Sequence, residues 1–224
     1  MTRRLLKFAF PTAVLLTASA FYMGGWAVLS VQDLPDYATV GAPVNLEYIA
    51  LQHGVDPLDK LDGEIVARSG SSVVRVTARE ARRAHYTASI TLPSAGDWTI
   101  AINSGFGNSN ARLMPLRAVD EKSAPPTVTD TERGRRLFVA KGCITCHVHN
   151  AVDPEGTLQL KQVGPDLTTK RYATEYLKMF LKDPSIRPPS SPNAMRMPNL
   201  GLKPAEIAAL AAFVNDGRAV TSTR

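Results

Sequence analysis

Gly142-Cys143-Ile144-Thr145-Cys146-His147-Val148-His149-Asn150 contains both cysteines of the 224-residue chain and two of its four histidines. The thiols lie three positions apart, and a histidine follows the second directly. A structural zinc site would need another Cys/His pair of similar spacing, and the chain has no further cysteine. A thioredoxin-like dithiol would need a βαβ context, which the flanking sequence lacks. C-x-x-C-H is the pattern of c-type haem attachment. Two thiols on one turn can bond the two haem vinyl groups, and the next imidazole falls under the iron. His149 follows on the same side and cannot wrap to the opposite haem face, so it reads as a surface or loop residue.

Helical patterns flank this turn. Thr129-Asp130-Thr131-Glu132 has the S/T-x-x-E form of a capping box, and the helix it opens should stop at Gly142. Tyr172 to Pro184 is amphipathic. A last helix should begin with Pro204 at its first position and Glu206 in its first turn. Its apolar stripe is Ile207, Leu210, Ala211 and Val214, with Gly217 beyond. That stripe should pack on the first helix near Gly134 and Phe138, as plain core.

With these motifs in order, residues 129–218 resemble a class I cytochrome c domain. Gly134 and Phe138 match the glycine and aromatic of the family's first helix. Cys143, Cys146 and His147 match its attachment site, and Val163-Gly164-Pro165-Asp166-Leu167 matches its G-P-x-L turn. Met197 to Val214 matches the distal-methionine segment leading into the final helix. The resemblance implies one covalently attached haem c, held through Cys143 and Cys146. It implies His147 as proximal iron ligand, with support from the Pro165 region.

A sixth ligand must reach the haem face opposite His147. Methionine is the soft, apolar candidate, and Met179, Met195 and Met197 are available. Met179 sits at helical spacing and reads as core. Met195 and Met197 share a proline-rich irregular segment, and the residues alone permit either. The family position selects Met197. His/Met ligation raises the reduction potential relative to bis-His and fills both axial sites.

Upstream, Val44 to Arg117 repeats with period two. "VNLEYIAL", "EIVARS", "VVRVTA", "YTASITL" and "WTIAINS" are β-branched and aromatic, and turn residues divide them. A small β-sandwich is expected. "LPSAGDWTIAI" resembles the final strands of YtkA-like and FixH-like extracytoplasmic sandwich domains. His53, His85 and Met114 are possible copper ligands but lack paired spacing. Ser104 to Arg112 is a polar, glycine-rich loop suited to a partner contact or a solvated hairpin. Asp120 to Val128, with Pro125-Pro126, reads as a stiff linker.

At the N-terminus Arg3, Arg4 and Lys7 precede an uncharged run from Phe8 to Gln32. As a helix that run would rise about 37 Å, against a ~30 Å hydrocarbon core. Cations before the span place the N-terminus in the cytoplasm and the rest outside. Ala18-Ser19-Ala20 offers the alternative of a cleaved signal peptide. The anchor is preferred because the apolar run continues past that cut, and either reading exports the chain.

The expected architecture is therefore multi-domain. Residues 1–33 form a transmembrane anchor, 34–119 an all-β sandwich, 120–128 a linker and 129–220 an all-α cytochrome c domain. Composition excludes other classes. The net charge is +6, and Thr129 to Arg218 holds 13 Lys/Arg against 9 Asp/Glu, a difference of +4. No basic run or aromatic platform marks a nucleic-acid binder.

The expected function is single-electron transfer between respiratory partners, as a single-pass protein of the bacterial cytoplasmic membrane with its haem on the periplasmic side. Lys141, Lys161, Lys170, Arg171, Lys178 and Arg196 are candidates for a basic ring that steers acidic redox protein partners, or equally for a solvated mixed-charge surface. A fixed haem c subunit of a membrane oxidoreductase complex, nitric oxide reductase- or oxidase-like, is the alternative, although the binuclear copper site of an oxidase subunit II would need two further cysteines. A haem enzyme or gas sensor would require an open iron site.

Overall fold

The computed structural model describes residues 25–153, 163–189, 191 and 195–216. Eleven strands come first: β1 (Ala27–Val31), β2 (Ala38–Thr39), β3 (Pro43–Gln52), β4 (Asp56–Pro57), β5 (Glu64–Ser69), β6 (Ser72–Thr77), β7 (Arg79–Arg82), β8 (His85–Thr91), β9 (Gly96–Asn103), β10 (Asn110–Arg112) and β11 (Leu116–Val119). Three helices follow: α1 (Asp130–Ala140), α2 (Thr174–Lys182) and α3 (Pro204–Asp216).

The strands make two sheets. One runs β1-β3-β8-β7, with β4 also on β3. The other runs β2-β11-β9-β5-β6, with β10 also on β9. Every pairing is antiparallel except β2 with β11. In β3 and β9 buried and less buried residues alternate, because successive side chains leave a strand on opposite faces. The inward faces meet around Trp98, Tyr48 and Tyr86, all fully buried. The five strands read from periodicity are β3, β5, β6, β8 and β9. The Ser104 to Arg112 stretch closes the β9–β10 hairpin, and its Phe106 packs against the core.

The first strand corrects the N-terminal reading. Ala27 to Val31, assigned to the 1–33 anchor, is β1, paired residue for residue with Tyr48 to Gln52. Its apolar character serves a sheet. Unlike a normal outer strand it is buried on both faces. Ala27, Leu29 and Val31 enter the sandwich core, and Val28 and Ser30 take the opposite face by strand alternation. No helix among the described residues is long and apolar enough to cross a membrane, and the rest of the proposed anchor, residues 1–24, lies outside them.

What covers the second face of β1 is the helical module. Ala140, at the end of α1, belongs to the sandwich core. The chain after β1 makes a polar seam with α1. Arg133 Nε donates to Asp36 Oδ1 at 3.0 Å, and Arg136 donates to the carbonyls of Asp36 and Pro35 at 2.6 and 3.3 Å. Lys203, beside α3, pairs with Asp33.

Within the helical module α1 lies on α3 so closely that a Cβ on Gly134 would stand 2.0 Å from the Ala209 carbonyl oxygen. Phe138 and Phe213 meet at 5.5 Å between ring centres. This is the expected pairing of first and last helix. The expected capping box is half formed: Thr129 Oγ1 accepts from Glu132 N, while the Glu132 carboxylate binds Arg135 instead. Pro204 and Glu206 sit in the first turn of α3, as expected, and Gly217 lies outside the described residues.

Candidate functional site

α1 ends where glycine permits. Gly142 takes φ +76°, and its N–H donates to Val139 O at 3.0 Å, closing the helix as the Cys143–Thr145 3₁₀ turn begins. Cys146 N and His147 N both donate to Cys143 O, at 3.1 and 2.9 Å. One wound turn thus carries both thiols and the imidazole.

The His147 ring is oriented by the 163–167 segment. Its Nδ1 lies 3.0 Å from Pro165 O. A carbonyl can only accept, so Nδ1 carries the proton and Nε2 keeps its lone pair for a metal. Burial pushes the imidazole pKa below its ordinary value, against the opposing effect of that hydrogen bond, and a neutral ring is the ligating form. Gly164 makes the arrangement possible, because a Cβ there would come within 2.4 Å of His147 Cε1. Gly164 N to Cys146 O and Leu167 N to Val148 O, both 2.9 Å, stitch the two segments together.

Cys143, Cys146, His147, Pro165, Met195 and Met197 all line one cavity of about 760 Å³. Its size falls within the ~300–1,000 Å³ of cofactor pockets. Leu167, Leu177, Leu181, Leu210 and Val214 supply apolar wall, so the interior suits a large hydrophobic ring system. Of the two methionines, Met197 is half-buried and packs on the helical core, whereas Met195 is exposed. Met179 is 57% exposed and does not reach the cavity, so it is neither core nor ligand. In α2 the inward positions are Leu177 and Leu181.

The thiols are unpaired and sit in an environment that opposes ionisation. Burial above all, then neighbouring Cys146, pushes Cys143 up to about 12, and burial also raises Cys146. A redox dithiol needs the reverse shift. The donor set, the neutral His147 with a free Nε2 and the apolar cavity together fit a covalently held haem.

Two further residues depart from expectation. His149 is fully buried, not at the surface, with its ring 4.3 Å from that of Phe213 and 5.9 Å from that of Phe138. Its Nδ1 accepts from Ala151 N at 3.2 Å, and Nε2 has no hydrogen-bond partner among the described residues. Lys141 is not part of a basic ring. It is 1% exposed, with Nζ 2.7 Å from Glu206 Oε1 and donating to Gln32 O at 2.9 Å. Lys170, Arg171 and Arg196 are exposed, Lys178 pairs with Glu175, and Lys161 lies outside the described residues.

The sandwich also reaches the cavity, which periodicity did not reveal. Val28 of β1 is part of the lining. In the rest of the sandwich His85 Nδ1 lies 2.7 Å from Glu47 Oε1, and His53 meets Trp26 edge to face, so the two histidines have separate partners.

Residues 131–217 match the Cytochrome c family model. The match coincides with the helical module and carries its cofactor: the cytochrome c domain implies one covalently attached haem c. No curated protein matches the chain. Solved structures resemble part of it. The filamin domain of Lin-41 is 16% identical over 41% of this chain and 91% of its own, with a TM-score of 0.36. A putative glycoside hydrolase from Bacteroides vulgatus is 13% identical over 43% of this chain, with a TM-score of 0.31, and the chain covers 17% of its length. A superoxide reductase (neelaredoxin) from Ignicoccus hospitalis is 13% identical over 43% of this chain and 83% of its own, with a TM-score of 0.29.

Proposed function

We propose that the chain is an exported, membrane-tethered electron carrier whose single haem c is ligated by His147 and Met197. The observation that carries this reading is the hydrogen bond from His147 Nδ1 to Pro165 O, in a cavity that also contains Met197. Bound haem supplies a one-electron couple. Cys143 and Cys146 anchor it, the Pro165 carbonyl fixes the tautomer of His147, and the apolar walls limit water at the iron. If His147 and Met197 both hold the haem iron, the site would suit outer-sphere electron transfer better than substrate or gas binding.

Export follows from the N-terminal cations and the uncharged run. Trp26 is docked on the sandwich beside His53, so the run left for a span is Phe8 to Gly24. As a helix it would rise about 26 Å, a few ångströms short of the ~30 Å core and within the mismatch a bilayer accommodates. A signal cut after Ala20 would also leave β1 whole. Intact mass of the mature protein from membrane and soluble fractions separates the two.

The ligand assignment is tested by Met197→Ala in the full chain. Covalent haem, seen by haem stain on a denaturing gel, should persist, while the ferric sulfur-to-iron absorbance disappears. An unchanged ferric spectrum would sink the His/Met assignment and raise the open-site reading.

The fixed-subunit reading has one observation in its favour. The sandwich and the haem domain share buried packing through Ala140, Lys141 and the Asp36 seam, so they offer a partner one continuous surface. Copurification with an integral membrane oxidoreductase distinguishes this from a freely diffusing carrier.

A further inference from the structure

Val28 stands at the junction of three segments. It is 2% exposed, on the face of β1 turned away from the sandwich core. A Cβ placed on Gly142, directly before Cys143, would come 2.6 Å from Val28 Cγ1. A Cβ placed on Gly54, in the turn after β3, would come 3.5 Å from Val28 Cγ2 and 3.1 Å from Cγ of Pro198. Pro198 directly follows Met197. One Val28 methyl therefore meets the haem-attachment turn. The other sits at the Gly54–Pro198 contact, which carries the strap holding Met197. Gly54 has φ +81° and no side chain, which lets the proline ring seat against the sandwich. Lys203, six residues after Met197, is paired with Asp33 and tethers the far end of the same strap.

We propose that the β-sandwich is a working part of the haem site, and that Val28 is the positioning residue through which it braces the Met197 strap against the Cys143–His147 turn. Close-packed groups have few alternative positions, so a strap seated on a rigid sheet keeps its ligand over the iron. The sandwich thereby sets how tightly the methionine competes with external ligands, without touching the iron. This inference rests on the His147/Met197 reading.

The test uses the full-length haem-loaded protein and imidazole as the competing ligand. Val28→Ala should retain covalent haem but show a weaker ferric sulfur-to-iron absorbance. Its apparent imidazole dissociation constant should fall on the order of tenfold, the equivalent of two buried methyl groups. Leu29→Ala, on the opposite face of the same strand, should lower the melting temperature of the sandwich and leave imidazole affinity at the wild-type value. Val28→Thr keeps the branched shape and should move in the same direction by less, so it serves if Val28→Ala does not fold. Wild-type imidazole affinity in the Val28 variants, or an equal change in Leu29→Ala, would overturn the inference. If the wild-type protein itself lacks the sulfur-to-iron absorbance, the ligand reading fails first and the inference with it.

Discussion

The two modules of this protein are stabilised in different ways. The sandwich is filled by its own side chains, with Ala140 of α1 at its border: two sheets bury Trp98, Tyr48, Tyr86 and a shell of aliphatic residues. In the haem domain α1 and α3 are locked together, but the wall formed by α2 and the 195–200 strap faces a cavity of about 760 Å³. There haem would complete the apolar interior that Leu167, Leu177, Leu181, Leu210 and Val214 begin. The difference teaches that the sandwich can act as a rigid base, while the shape of the haem domain depends on what it binds and on what it leans against.

The largest effect should come from removing the anchors. Cys143→Ala with Cys146→Ala should abolish covalent haem and leave much of the α2 and strap packing unformed. Far-UV circular dichroism should lose helix while strand signal remains. Retention of full helix content without haem would break the contrast between the modules. Trp98→Ala probes the other side and should cost the sandwich about 3–5 kcal/mol, read by chemical denaturation.

Next comes the buried charge at the seam. Lys141→Ala strands Glu206 and the Gln32 carbonyl and should cost about 3–5 kcal/mol. Lys141→Met combined with Glu206→Gln should recover much of that, because the uncompensated charge is gone. Gly134→Ala forces a Cβ into the Ala209 carbonyl, and overpacking of this kind should cost about 1–3 kcal/mol. Melting of the haem domain, followed by haem absorbance, measures it.

The smallest effect is electrostatic. The hydrogen bond from Arg133, more than its charge, holds the Asp36 carboxyl below the ordinary 3.8, against an opposing push from partial burial. The folded pKa is depressed, so the contribution is complete above 3.8 and vanishes as pH falls through the lower folded value. Asp36 is about one-third exposed, which limits the pair to about 1 kcal/mol or less. An acid titration of Asp36→Asn should show a weaker pH dependence of melting than wild type as pH falls below the ordinary carboxyl value of 3.8.

Legibility in the sequence followed the range of the interactions. The turn that carries Cys143, Cys146 and His147 could be read because the spacing that builds it is local. Strands β3, β5 and β9 could be read because alternation is local. Gly134 could be read from its family position, and the structure supplies the reason in the Ala209 carbonyl. Lys141 misled because lysine at a helix end is usually solvated. Its partners, Glu206 and Gln32, come from distant parts of the chain. His149 misled in the same way: Phe138 of α1 and Phe213 of α3 pack against its ring. Met179 looked like core by spacing, but the inward face of α2 is carried by Leu177 and Leu181. β1 looked like part of a span, because an apolar run next to a longer apolar run carries no mark of where a sheet begins.

By itself the sequence determined the cofactor chemistry, the helix stops and the division into a strand-rich and a helical module. Each of these depends on residues within a few positions of one another. Only the tertiary structure decided that β1 belongs to the sandwich, that Lys141 and His149 are interior, and that Val28 reaches the haem cavity. Burial of this kind is set by which surfaces meet across long sequence separations. A residue's own type and its immediate neighbours do not encode that meeting.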